Sequence, residues 1–192
     1  MKFYRGWKAI FLGLGIALIS GCGAAPSISD RYLKARQLLE AGKWQEADEA
    51  IFKAALKVAH RDSEGWFDAE SIEKFPCADL SYIDLLYRKY SNGKFGLVPQ
   101  KEVYLNTGNK IGEYNPETFN KFASAVGWRQ NDRWIQYDQL NYSIGEAPQG
   151  HLPPTGQPNT GLRAPFKTRK GNPEKYYTYP VLMKRVETCI SW

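Results

Sequence analysis

The 192-residue sequence holds two histidines, three cysteines and no paired-histidine, HExxH or CxxC pattern, so it has little with which to build a catalytic or metal centre. Hydrolytic catalysis needs a nucleophile beside a positioned base. His60 lies among charges at the end of an apolar-periodic stretch and reads as a solvated helix-capping residue. His151, between Gly150 and Leu152-Pro153, reads as a structural hydrogen bond that fixes a loop. No enzyme, dedicated metal site or required cofactor is expected. Gly93 and Gly96 flank Phe95 without a phosphate-binding spacing and mark a turn. The formal charge of +6 is modest, and Lys2, Arg5 and Lys8 carry half of it, so nothing points to nucleic acid. The apolar run from Ala9 to Ser20 is about a dozen residues, short of the roughly 20 that a membrane-spanning helix needs.

That same run, preceded by three cations and ending Ile19-Ser20-Gly21-Cys22, has the form of a signal peptide. Its ending resembles the lipobox of bacterial lipoproteins, in which Cys22 becomes lipidated and is the first mature residue. Residues 1–21 are therefore expected to be a lipoprotein signal peptide, 22–30 a tether and 31–192 the folded domain. An uncleaved membrane anchor is the other reading, and both place the domain on the exported side of a membrane. Gly23 leaves the usual aspartate retention signal absent, so the final membrane (periplasmic, lumenal or outer) stays open. Cys77 and Cys189 remain, and in an exported protein these two could pair.

The mature chain reads as all-α and is rich enough in aromatics, at 14%, to pack one core. Leu33, Ala35, Leu38 and Leu39 recur at helical spacing until Gly42, and Ala47, Ala50, Ile51, Ala54, Ala55 and Val58 face inward on a second helix from Trp44. The pair has the small residues of one tetratricopeptide-like hairpin, and no second copy follows. A short helix spans Asp68 to Lys74, and Pro76 ends it. Asp79 is placed as the N-cap of the next helix, Asp84 as a solvated acid, and Gly93 as its left-handed stop. Pro99 opens another helix, and Asn115-Pro116-Glu117 starts one that Gly127 closes. Ser143 to Pro173 reads as a long loop and Tyr176 to Trp192 as a terminal helix. No alternating strand is evident.

Residues 75–108, FPCADLSYIDLLYRKYSNGKFGLVPQKEVYLNTG, combine amphipathic helix, glycine stop, aromatic turn and second helix in a particular order. Together with Gly127-Trp128-Arg129, Trp134 and Ala147-Pro148-Gln149-Gly150-His151-Leu152-Pro153, they resemble the Genomes-Uncoupled-Four family over roughly residues 30 to 160. The resemblance implies a cupped hand of helices with a ligand surface in its palm, binding a porphyrin or magnesium porphyrin and, in chlorophyll synthesis, stimulating magnesium chelatase. It also suggests a cyanobacterial setting. A cysteine after proline is common at the Cys77 position in cytosolic members, where no disulfide would persist, so two buried or free thiols are expected in preference to a bridge.

A porphyrin needs a broad apolar concavity with cations at the rim for its propionates. The resemblance implies palm positions at Trp44, Leu97, Trp128, Trp134, Tyr137 and Tyr142, and propionate partners at Arg129, Arg133 and Arg163, since guanidinium pairs well with carboxylate. Departures are visible too. Leu97-Val98-Pro99 replaces an aromatic and a serine of the family turn, Phe52 stands where porphyrin binders carry arginine, Ala69 where they carry phenylalanine, and Tyr137 where they carry tryptophan. A lipoprotein also cannot meet a chelatase that works on the cytosolic or stromal side. The expected role is a lipid-anchored tetrapyrrole carrier or sensor. The alternative is an interaction module with a degenerate pocket, whose cations Arg169, Lys170, Lys184 and Arg185 meet a partner protein or anionic lipid. A palm filled by Phe52 or Tyr137 would favour that module; a deep apolar palm would favour a ligand.

Overall fold

The computed structural model describes residues 26–155 and 178–190. The signal-peptide residues, Cys22, Arg163, Arg169 and Lys170 lie outside that range. A short helix α1 (Ile28–Arg31) opens on a capping box formed by Ser27 and Asp30, so the segment read as tether is already helical at its end. Helices α2 (Leu33–Glu40) and α3 (Trp44–Val58) form the expected hairpin. Gly42 turns the corner with φ +71°, and Ala35 and Leu39 bury their small faces where Ala47 and Ile51 pack.

Next come α4 (Ala69–Glu73), capped by Asp68, then α5 (Cys77–Tyr90), α6 (Leu97–Asn106) and α7 (Pro116–Ala125), the last capped by Asn115 with proline at its first turn. Strands β1 (Arg129–Gln130) and β2 (Arg133–Trp134) pair antiparallel, with Arg129 opposite Trp134. A 3-10 turn over Tyr137–Gln139 follows, and α8 (Thr178–Cys189) closes the described chain against α4, α5 and α6. Among the described residues the fold is all-α apart from that ribbon. Two residues per strand are too few for an alternating pattern to register, which is why no strand was expected. Among the described residues no helix is long and apolar enough to cross a membrane.

An aromatic cluster joins α6, α7 and α8. Tyr104, Phe119, Phe122, Trp128 and Tyr179 are all essentially inaccessible, with Tyr104 and Trp128 edge-on to Phe122 at 5.3 and 5.4 Å. Burial pushes the Tyr104 hydroxyl up to about 12.

Three sequence expectations are corrected here. Asp79 is not the N-cap of α5, a place taken by Pro76; it lies within the first turn, buried, accepting from Arg31 Nη1 at 2.7 and 2.8 Å and from the Tyr32 hydroxyl at 3.2 Å. Asp84 is not solvated: its side chain is fully buried, accepts from Arg88 Nε at 2.7 Å and receives the Val98 N–H at 3.0 Å, so it caps α6 from across the turn. Cys77 and Cys189 are not thiols. They are joined in a disulfide, with Cα atoms 4.9 Å apart across 112 residues of sequence. The bridge forms because α8 runs back along α5 and brings its last turn to the first turn of that helix.

Candidate ligand-binding cavity

A cavity of about 300 Å³ opens between α3, α4, α5 and α8, at the lower end of the roughly 300–1,000 Å³ typical of small-molecule sites. Helix α3 supplies one wall because Asp48, Ile51, Phe52, Ala55 and Leu56 fall three or four residues apart and share a face. Phe67, Ile72 and Phe75 come from the segment around α4, Leu80 and Ile83 from α5, Leu97 from the start of α6 and Leu182 from α8. The lining is overwhelmingly apolar. Its polar groups are Asp48, Glu49, Lys53, Thr155 and Arg185, with the hydroxyls of Tyr87 and Tyr137.

Asp48 is 6% exposed, and an unsatisfied carboxylate there would be strongly unfavourable. Its Oδ1 accepts from the Tyr87 hydroxyl and its Oδ2 from the Tyr137 hydroxyl, both at 2.5 Å. Burial first, and the Asp48 charge second, raise both tyrosine pKa values, so the two phenols stay protonated donors at any ordinary pH. The Tyr142 hydroxyl donates to the Tyr137 carbonyl at 3.2 Å, with its ring 6.1 Å away, and so buttresses that wall from behind.

On the opposite wall, Arg185 Nε and Nη2 donate to the Phe75 carbonyl at 3.0 and 2.6 Å. Lys53 stands exposed on α3. Between them they offer positive charge at the cavity's edge. A second, charged concavity of about 460 Å³ lies on the other side of α3, with Ala50, Ala54 and Lys57 facing Arg31, Lys34 and Leu38 of the preceding helices.

Of the nine sequence-derived ligand positions, Leu97 and Tyr137 line the cavity and Tyr142 supports it. Trp44 is core, edge-on to Phe95 at 5.2 Å. Trp128 is fully buried, its indole N–H donating to the His151 carbonyl at 2.7 Å. Arg129, Arg133 and Trp134 sit on the β ribbon, where the Arg129 guanidinium lies 5.6 Å over the Trp134 ring and donates to the Asp132 carbonyl at 2.8 Å. None of these three lines the cavity. Arg163 is beyond the described residues. His151 makes the structural bond expected of it, Nδ1 donating to the Val126 carbonyl at 2.7 Å. Sequence reasoning missed Ile51, Phe67, Phe75, Leu80, Ile83 and Leu182 as lining; a helical apolar stripe was the one available signal, and it does not separate cavity wall from core.

The chain is 29% identical over 124 residues to the Ycf53-like protein of Synechocystis, and 29% identical over 110 residues to the uncharacterized protein ycf53 of Pyropia yezoensis. Those matches cover 64% and 56% of this chain and 50% and 43% of the relatives, so it spans about half the length of the curated proteins it matches. Its fold is similar to ligand-free GUN4 of Arabidopsis thaliana (TM-score 0.58, 21% identity, covering 82% of this chain and 95% of that one). GUN4 of Chlamydomonas reinhardtii is comparable (TM-score 0.57, 22% identity, covering 83% and 89%). Residues 26–165 match the GUN4-like family, and the chain belongs to that family.

Proposed function

We propose that this protein binds a tetrapyrrole, a porphyrin or magnesium porphyrin, in the cavity between α3 and α8, and serves as a non-catalytic carrier or sensor. The observation that carries the reading is an apolar cavity that stays open although Phe52 and Tyr137 stand in its wall. Both residues line the space and neither fills it. The family's association with tetrapyrroles supports the ligand class, and Lys53 and Arg185 offer positive charge suited to propionates. Arg163 remains a proposed propionate partner.

The site is proposed to lie on the exported side of a membrane, held there through lipidated Cys22. The Cys77–Cys189 bridge supports that setting independently of the N-terminal segment, because disulfides persist in oxidising compartments and are rare in the cytosol. A domain on that face is out of reach of a cytosolic chelatase, so shielding or sensing a membrane-active pigment suits it better than stimulating one. The test is titration of the purified full-length protein with protoporphyrin and magnesium protoporphyrin, following tryptophan quenching and the Soret shift. Saturable binding with Kd on the order of micromolar is the expected result. Absence of saturation well above that range would overturn the reading and favour the interaction module.

A further inference from the structure

We propose that the Cys77–Cys189 disulfide is a redox-active modification site whose state sets the affinity of the cavity, its reaction partner being a dithiol reductant. The inference rests on the reading of the cavity as a ligand site. Both ends of the bridge lie on helices that line the cavity. Phe75, two residues before Cys77, lines the space, as do Leu80 and Ile83 further along α5. Arg185, four residues before Cys189 and therefore on the same face of α8, lines it from the other side together with Leu182. The Arg185 guanidinium spans the two walls by donating to the Phe75 carbonyl. The disulfide thus pins the last turns of α8, which carry Arg185, against the bend between α4 and α5 that carries Phe75.

What holds α8 without the bridge is unevenly distributed. Tyr179, Met183 and Val186 are buried, and the Tyr179 hydroxyl donates to Gln100 Oε1 at 3.2 Å, so most of the helix stays seated on the core. Besides the bridge, the last turn is tied by the long 3.3 Å bond from Ser81 Oγ to the Cys189 carbonyl, the half-exposed Glu187 paired with Lys101, and the buried Ile190 just past its end. Opening the bridge therefore loosens the end of α8 beyond Val186 and removes the covalent tie between the two cavity walls, leaving the Arg185 hydrogen bonds to the Phe75 carbonyl to hold them together. Both cysteines are only partly buried, a setting in which a small dithiol can approach the bridge.

The chemistry balances as ordinary exchange. A thiolate of the dithiol attacks one sulfur, forming a mixed disulfide and releasing the other cysteine as a thiolate that takes up a proton. The second thiol of the reductant then displaces the remaining cysteine, which is protonated in turn. The reductant leaves as a disulfide, and the protein has gained two electrons and two protons.

The test is protoporphyrin titration of the full-length protein as purified, after dithiothreitol, and after reoxidation, with thiol labelling to establish the state of the pair. A Cys77→Ser/Cys189→Ser variant runs alongside, since it cannot close the bridge and controls for Cys22. Reduction is expected to weaken binding roughly five- to tenfold, the low end of ordinary coupling between sites, and reoxidation to restore it. The double variant should match the reduced protein and ignore dithiothreitol. Equal affinity before and after complete reduction overturns this inference and leaves the cavity reading intact; no saturable binding by the oxidised protein overturns both.

Discussion

Replacing Ala55 by phenylalanine should weaken ligand binding while making the protein more stable. Ala55 lies in the middle of α3, 7% exposed, with its methyl in the cavity wall. A phenyl ring there would occupy part of the 300 Å³ that the ligand needs. Burying a side chain of that size contributes about 1.5–3 kcal/mol. Against this stand about 0.5 kcal/mol for the poorer helix former and roughly 0.5–1 kcal/mol for ordering the side chain. The net is about 1 kcal/mol in favour of the variant, a rise of roughly 2–4 °C in Tm for a domain of this size. Porphyrin affinity should drop about 10- to 100-fold, since overpacking costs about 1–3 kcal/mol even where neighbours can adjust. Thermal melting and Soret titration of the same samples give both readouts. Opposite signs are the informative outcome, because a folding defect would lower both. A reduced Tm would mean that the space is not open in solution; unchanged binding would move the ligand elsewhere, with the ribbon of Arg133 and Trp134 the next place to look.

Gly96→Ala should cost about 2–5 kcal/mol in urea denaturation, combining roughly 1–3 for its backbone (φ +126°, ψ 174°) with the crowding of a Cβ 2.8 Å from Asp84 Oδ1. Gly93→Ala, also at positive φ but facing open space, should cost only about 1–2 kcal/mol, and equal losses at the two sites would refute the crowding argument. Burial, helped by the Lys94 charge and opposed by the bond to Val126, holds the His151 pKa below its usual 6.5. The folded protein then binds its proton less readily than the unfolded chain does. The corresponding stability is complete above about pH 6.5 and declines as pH falls through the lowered value, so a His151→Gln variant should show a flatter urea midpoint between pH 7 and 5. Reducing Cys77–Cys189 removes the closure of a loop of 112 residues and should lower stability by about 4–5 kcal/mol, read from urea midpoints with and without dithiothreitol; identical midpoints would mean that the pair is not bridged in solution.

The helices were legible in the sequence where their stops are local: Gly42, Gly93 and Gly127 all end helices as read, each at positive φ, and Asn115 caps α7. Features set by distant partners were not. Asp79 reads as a cap until Arg31, 48 residues away, is seen to reach it. The disulfide joins residues 112 apart, and the expectation of free thiols leaned on relatives of a different compartment. The candidate site was half legible for a similar reason. Tryptophans 44 and 128 and the cavity-lining Phe67 and Phe75 look alike in sequence, and only the seating of α8 decides which of them face empty space.

Helix α3 is a partition one helix thick. Ile51, Ala55 and Leu56 look into the cavity, while Ala50, Ala54 and Lys57 look out into the charged concavity behind it. Residues that are neighbours in sequence therefore answer to different surfaces. Gaining or losing a single residue within α3 would rotate everything beyond it by about 100°, turning the lysine side toward the apolar space and the apolar side toward water. Across relatives, point substitutions on this helix should accumulate freely on one face or the other, while its length between Trp44 and Val58 should hardly vary.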